Sequence, residues 1–269
     1  MANEILTNAV AKSAYDIRDY KIKADAELPE EYKGSFDIPV KNQKNKPTCV
    51  AHALASLVEY HNKRQSGKYR KFSTEFIYGF RPEGYYIGDG MCIKDGLKTL
   101  LNKGDVYYTE LEGNSNYERA MEKVKADIVA LSYKAHPHRI SAYYKLNTAD
   151  EIKTAIMRDG AVVASMNTYD GARLVKDVYT YDKNAEHGRH CVLLIGWNKN
   201  GWIVQNSWGY LYGGDGRFVL PFSFELNEAW GVTDDITDIT TPKRSKWRDI
   251  FYKLVNELVK LFKGAFTCG

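Results

Sequence analysis

The stretch 41-KNQKNKPTCVAHALASLVEY-60 decides how the chain is read, because its character changes at Cys49. As far as Pro47 it is polar and lysine-rich, with no helical period. From Cys49 to about Arg64 the apolar residues Val50, Ala53, Leu54, Leu57 and Val58 recur at three- and four-residue intervals, which predicts an amphipathic helix with one buried face. Thr48 is placed to cap it. Cys49 then stands at a helix start, where unpaired backbone N–H groups and aligned peptide dipoles stabilise a thiolate.

Upstream, residues 1–27 hold no uninterrupted apolar run of the kind a secretion signal needs, and LPEEYKGSFDIPVKNQKNKP reads as extended chain. Downstream, a second helix is predicted from Ser73 and a third over about 94–102, closed by KGD. The later sequence differs. RISAYYKL, AVVASMN, HCVLLIGWN, GWIVQNSW and RFVLPF are short runs rich in β-branched and aromatic residues between Gly, Asn and Asp, which predicts antiparallel strands. Helices over about 116–128 and 149–158 precede or interrupt them. Helices followed by sheet is an α+β order, with a cleft between two halves as the natural site. The expected divisions are an N-terminal extension over 1–27, a body over 28–240 and a tail over 241–269.

With 269 residues and 44% hydrophobic content, the body can bury a large core. A net charge of +4 at 27% charged residues is an ordinary soluble surface and implies no nucleic acid partner. No run reaches the length of a membrane span. The four cysteines, Cys49, Cys92, Cys191 and Cys268, lack CxxC spacing and the density of a disulfide scaffold, so free thiols in a cytoplasmic protein are expected. No metal or other cofactor is expected either. HPH at 136–138 is the nearest thing to a metal motif and reads as a solvent-facing loop or strand start. The tail carries Trp247, Ile250, Phe251, Leu254, Val255 and Leu258 at helical spacing between basic residues. Such a helix docks on the body or a sister subunit, or else meets a membrane surface or a separate partner. Oligomeric state is not legible.

Thiol chemistry also needs an imidazole, and a third group that orients it. His190 opens the strand HCVLLIGW and Asn206 closes the next, GWIVQN. A turn at 198–201 between antiparallel neighbours would bring those two ends together. Gln43, six residues before Cys49, is a candidate side-chain donor to an oxyanion, alongside the Cys49 N–H. His52 and His187 are rival bases. The first lies on the same helix as the thiol, so it points along the axis instead of across a cleft, and the second lies in the loop NAEHGRH.

Together these motifs resemble the papain-like cysteine peptidases over about residues 28–234. PVKNQ at 39–43 matches the family's glutamine motif. The six-residue step to Cys49, the sixteen from His190 to Asn206, and NSWG at 206–209 followed by GGDGRFVL match its other signatures. The resemblance implies a two-lobed fold with a helical left lobe and an antiparallel sheet or barrel as the right lobe. It implies an endopeptidase acting on peptides or proteins through a thioester. Cys49 would be the nucleophile, His190 its imidazolium partner, Asn206 the orienter and Gln43 the oxyanion donor, while Trp208 would shield the His–Asn hydrogen bond. GMCIKDGL at 90–97 resembles the segment that pairs with substrate, so Ile93, Ser165 and Cys191 are expected to line the main specificity pocket. Lys46, Pro47 and Val50 depart from the family pattern and remove its nearby disulfide, which suits a reducing compartment. A short N-terminal segment lying across the cleft remains compatible with this pattern. The same site would also serve an amidase, transferase or isopeptidase on one protein, and a silent binding module would keep the fold but usually loses the Cys or His.

Overall fold

A computed structural model describes residues 10–13, 22–25, 27–34, 38–82, 89–111 and 117–233. By proximity of Cα atoms the chain divides into Met1–Asp234 and Asp235–Gly269. The second unit, and with it the tail helix expected over 241–269, lies outside the described residues, as does Cys268.

Two short strands, β1 (Val10–Ala11) and β2 (Tyr32–Lys33), precede the helices α1 (Cys49–Ser66) and α2 (Thr74–Gly79). Next come β3 (Met91–Cys92), α3 (Ile93–Asn102), α4 (Tyr117–Ala126) and α5 (Ile128–Ala135), which runs into a 3-10 turn at His136–His138. The rest is mostly strand: β4 (Ala142–Leu146), then α6 (Ala149–Asp159), β5 (Val162–Tyr169), β6 (Arg173–Val175) and β7 (Val178–Thr180). Last are β8 (His187–Asn198), β9 (Gly201–Gln205), β10 (Arg217–Leu220) and β11 (Glu228–Thr233).

The main sheet runs β4-β11-β5-β8-β9-β10-β7-β6, with β2 added against β8. β4 and β6 are its edges, so among the described residues the sheet is open and not a closed barrel. One pairing is parallel, β10 with β7 at Val219↔Val178, and the other pairs are antiparallel.

Strand alternation gives this sheet two covered faces. Val163, Cys191, Leu193 and Ile195 join α1 in one apolar cluster, whereas Val162, Ala164, Val192 and Leu194 join Ile152, Ala155 and Ile156 of α6 in another. Every residue of β8 from His190 to Trp197 is buried, as a doubly covered strand requires. Each such Leu or Val side chain contributes about 1.5–3 kcal/mol.

α1 departs from the one-faced helix that its apolar period predicts. Every residue from Cys49 to Asn62 is buried, because β8 covers one side and α2 and α3 the others. The positions between the apolar ones are filled by small or pairable side chains. Glu59 accepts from Lys41 Nζ at 2.6 Å and from Phe72 N at 2.9 Å, and so ties two loops to the helix. Thr48 does not cap through its side chain, whose buried hydroxyl has no partner. Its carbonyl is used instead, accepting from His52 N at 3.0 Å and from the His52 ring at 2.9 Å.

Ser73 caps α2 by accepting from Phe76 N, and Thr148 and Glu151 form a capping box on α6. The single helix predicted over 116–128 is two helices broken at Asp127. HPH is neither a loop nor a strand start: Pro137 has no N–H to continue an α-helix, and His138 is buried, with its ring centroid 4.7 Å from that of Tyr107 and 5.1 Å from that of Phe72.

Candidate active site

The packing of α1 on β8 sets Cys49 beside Cys191, the sequence neighbour of His190. The helix start places the Cys49 sulfur within reach of its own N–H and that of Val50, and across the interface the N–H of Cys191, next to His190, also points at it. The His190 ring nitrogen Nε2 lies 2.7 Å from Asn206 Oδ1, which also accepts from Ser207 N at 2.8 Å. A backbone N–H can only donate, so it identifies that amide atom as the oxygen and assigns the proton to Nε2. Nδ1 is then the nitrogen left for acid–base work. Trp208 stacks on the His190 ring at 4.5 Å between centroids, and Tyr212 meets Trp208 edge-on at 4.8 Å.

Gln43 enters from the other lobe. Its N donates to Ser207 O at 2.8 Å, its Oε1 accepts from Ser207 Oγ at 2.6 Å, and its Nε2 donates one hydrogen to Lys46 O at 2.8 Å. The second Nε2 hydrogen remains for another acceptor. Asn42 bridges to Trp208, and Gly209 N donates to Lys41 O at 3.0 Å. Gly209 has φ +82, and a Cβ there would lie 2.8 Å from Asn42 Nδ2, so the last letter of NSWG is dictated by the approach of the glutamine loop.

Burial governs the electrostatics. Cys49 is fully inaccessible and His190 is 4% exposed. Desolvation pushes the Cys49 thiol up to about 12, although the amides of Cys191, Val50 and Cys49 favour its anion. Desolvation likewise pulls His190 down to about 4 against the Asn206 hydrogen bond. Both groups are therefore uncharged at neutral pH in this conformation. β1 packs against β3 and β8. It pairs in parallel with β3, Val10↔Met91 and Ala11↔Cys92, Val10 is buried in the same apolar cluster as Cys49 and Cys191, and Ser13 Oγ lies 3.2 Å from Cys92 Sγ.

Of the expected specificity residues, Ser165 and Cys191 are register partners on β5 and β8. Ile93 opens α3 beside Cys92, and all three are buried. Ser165 Oγ has no partner. The sequence reading missed Glu228, which pairs with Ser165 in register and whose carboxylate adds to burial in raising the Cys92 and Cys191 thiols. No local motif marks it, because only the β11–β5 pairing brings it there. The rival bases fall away: His52 is spent on Thr48 O and burial pulls it down to about 3, and His187 is exposed beside the Tyr169 ring. Among the described residues no three of His, Cys, Asp and Glu are grouped to hold a metal ion, and no helix is long and apolar enough to cross a membrane.

Known proteins share this fold. Xylellain, a cysteine protease from Xylella fastidiosa, superposes with a TM-score of 0.73 at 21% identity, covering 87% of this chain and 96% of that one. The cysteine protease and lectin-like domains of a surface-layer-associated protein of Clostridium difficile superpose at 0.69 with 18% identity, covering 85% and 56%. By sequence, a cathepsin B-like cysteine proteinase of Haemonchus contortus is 28% identical over 150 residues, 53% of this chain and 44% of that protein. Mouse cathepsin K is 26% identical over 218 residues, 75% and 61%. The chain thus spans less than half the length of the first of these relatives and under two thirds of the second. The profile described as papain family cysteine protease matches residues 30–229, about three quarters of the sequence, and the chain belongs to that family.

Proposed function

We propose that the protein is a cysteine endopeptidase that hydrolyses peptide bonds through a thioester on Cys49. The observation that carries this reading is the continuous chain of hydrogen bonds from Gln43 through Ser207 and Asn206 to His190, whose neighbour Cys191 directs its N–H at the sulfur of Cys49. His190 Nδ1 takes the thiol proton and the sulfur attacks the scissile carbonyl carbon. The developing oxyanion accepts from the free Gln43 Nε2–H and from Cys49 N–H. Collapse breaks the C–N bond, and His190 passes the proton to the leaving amine. Water then attacks the thioester with His190 as base, releasing the acid and restoring the thiol. Asn206 holds the ring by its Nε2–H, and Trp208 keeps water from that bond.

Residues 10–13 hold the protein latent in this form. They lie along Met91–Cys92, the edge an extended substrate needs, and the support is the complete burial of Cys49 together with the shared cluster that includes Val10. A compartment that keeps Cys49, Cys92 and Cys191 as the free thiols they are here suits the chemistry, and we assign the protein to the cytoplasm.

The test is hydrolysis of a fluorogenic peptide under reducing conditions by wild type and Cys49→Ala. Cleavage that vanishes in the variant is expected; a folded wild type that cuts no member of a peptide library, with or without its first 13 residues, overturns the reading.

A further inference from the structure

Behind loop 39–46 lies a cavity of about 550 Å3, and Gln43 forms part of its wall. Four lysines, Lys41, Lys44, Lys46 and Lys71, line it, while Glu75 is the one carboxylate among the lining residues. Lys41 is already compensated by Glu59. Glu75 accepts from the hydroxyls of Ser73 and Thr74. Lys44, Lys46 and Lys71 are exposed and have no ion-pair partner among the described residues. The Lys71 ammonium sits 3.4 Å from the centroid of the Tyr108 ring. Partial burial, and after it the charge of Lys41, hold that ammonium below the usual lysine value against the pull of Glu59 and Glu75, and the lining lysines outnumber the lining carboxylate four to one.

Its place relative to the reaction follows from the proton. His190 must protonate the leaving nitrogen, so the leaving chain departs over the imidazole and past Trp208, which stacks on that ring. Trp208 bridges to Asn42, the residue that begins the lysine-bearing turn. The acyl part of a substrate extends the other way, toward Met91–Cys92. Lys44 is held at a φ of +55, with its N–H bonded to Asn42 Oδ1 at 2.8 Å, which fixes the backbone of the turn.

We propose that this lysine-lined cavity is a specificity site for acidic residues on the leaving-group side of the scissile bond. The proposal rests on the endopeptidase reading above. It makes the protein selective for acidic segments that follow the cut. Association with such substrates is then steered by charge and weakened by salt.

Three fluorogenic peptides test it, identical up to the scissile bond and carrying Glu, Gln or Lys at the second and third positions after it. In wild type kcat/KM should fall in the order Glu, Gln, Lys, with the extremes roughly tenfold apart, and the gap should shrink as ionic strength rises. The double variant Lys44→Glu, Lys71→Glu should reverse the order. The ratio is read within each enzyme, so a general loss of activity cancels. Should the variant not fold, the salt dependence of the wild-type ratio decides alone. Equal rates on the three peptides, a gap insensitive to salt, or an unchanged order in a folded variant overturns the proposal while leaving the endopeptidase reading intact. Absence of cleavage of all three and of every member of a peptide library, after removal of residues 1–13, overturns both.

Discussion

Ser207 holds Gln43 twice, through a 2.6 Å hydrogen bond from its hydroxyl to Gln43 Oε1 and a 2.8 Å bond from Gln43 N to its own carbonyl. Ser207 is adjacent to Asn206, so one backbone step links Gln43, the proposed oxyanion donor, to the residue that holds the His190 ring. Ser207→Ala keeps the backbone bond and strands a buried Gln43 oxygen, which should cost about 1–3 kcal/mol of stability. Steady-state kinetics should show kcat falling with KM nearly unchanged. Gln43→Ala should lose roughly a hundredfold in kcat, and adding Ser207→Ala to it should then cost little more. Full additivity of the two losses would mean that Ser207 does not act through Gln43.

Gly209 faces the same junction. With φ +82 and a Cβ position 2.8 Å from Asn42 Nδ2, Gly209→Ala must strain its backbone and push away the glutamine loop. Thermal or urea unfolding should register a loss of about 1–3 kcal/mol, with lower kcat from the survivors. Gly171→Ala supplies the control, since it also has positive φ but nothing within 4 Å, and it should lose stability without the same effect on kcat.

The thiol of Cys49 is pushed up to about 12 because it is inaccessible. Iodoacetamide should therefore alkylate the intact chain slowly at pH 7, much as it would a buried cysteine. Deleting residues 1–13 should admit water and lower that value, so alkylation quickens and peptide hydrolysis rises. Mass spectrometry of the modified Cys49 peptide follows both forms. Equal alkylation rates would show that β1 does not shield the sulfur.

Acid should unfold the protein early. His52, His61, His138 and His190 are pulled by burial to about 3, 4, 4 and 4, against an unfolded value of 6.5. The unfolded chain consequently binds more protons at these sites below pH 6.5, and stability falls as pH drops from there toward 4. Glu59 and Asp105 oppose this in part, because burial raises both, although the Lys41 ammonium favours the Glu59 anion. Each histidine contributes up to about 1.4 kcal/mol per pH unit between about pH 5 and 6, in the direction of greater stability at higher pH. Urea midpoints across that range measure it, and His138→Phe should flatten the slope, since it removes one titrating site among aromatic neighbours. A midpoint that stays constant from pH 7 to 4.5 would refute the account.

Much of this molecule was written locally. The helix start at Cys49, the strands around His190 and Asn206, and the six- and sixteen-residue steps between the reacting groups depend on short-range periodicity and turn chemistry, which a linear sequence carries in full. The misreadings share one cause. The helix α1 is buried all round and HPH is a buried 3-10 turn, because each of these outcomes depends on what covers an element, and that cover comes from chain far away in sequence. Ser207, Glu228 and the lysine cavity went unmarked for the same reason.

The sequence by itself determined which groups are available for the reaction and the order in which the chain supplies them. Only the tertiary structure decided their state: Cys49 and His190 are buried in the body where α1 packs on β8, and loop 39–46 lines one cavity with Lys71. Charge and reactivity depend on solvent access and on neighbours in space, and those exist only once distant segments have packed together.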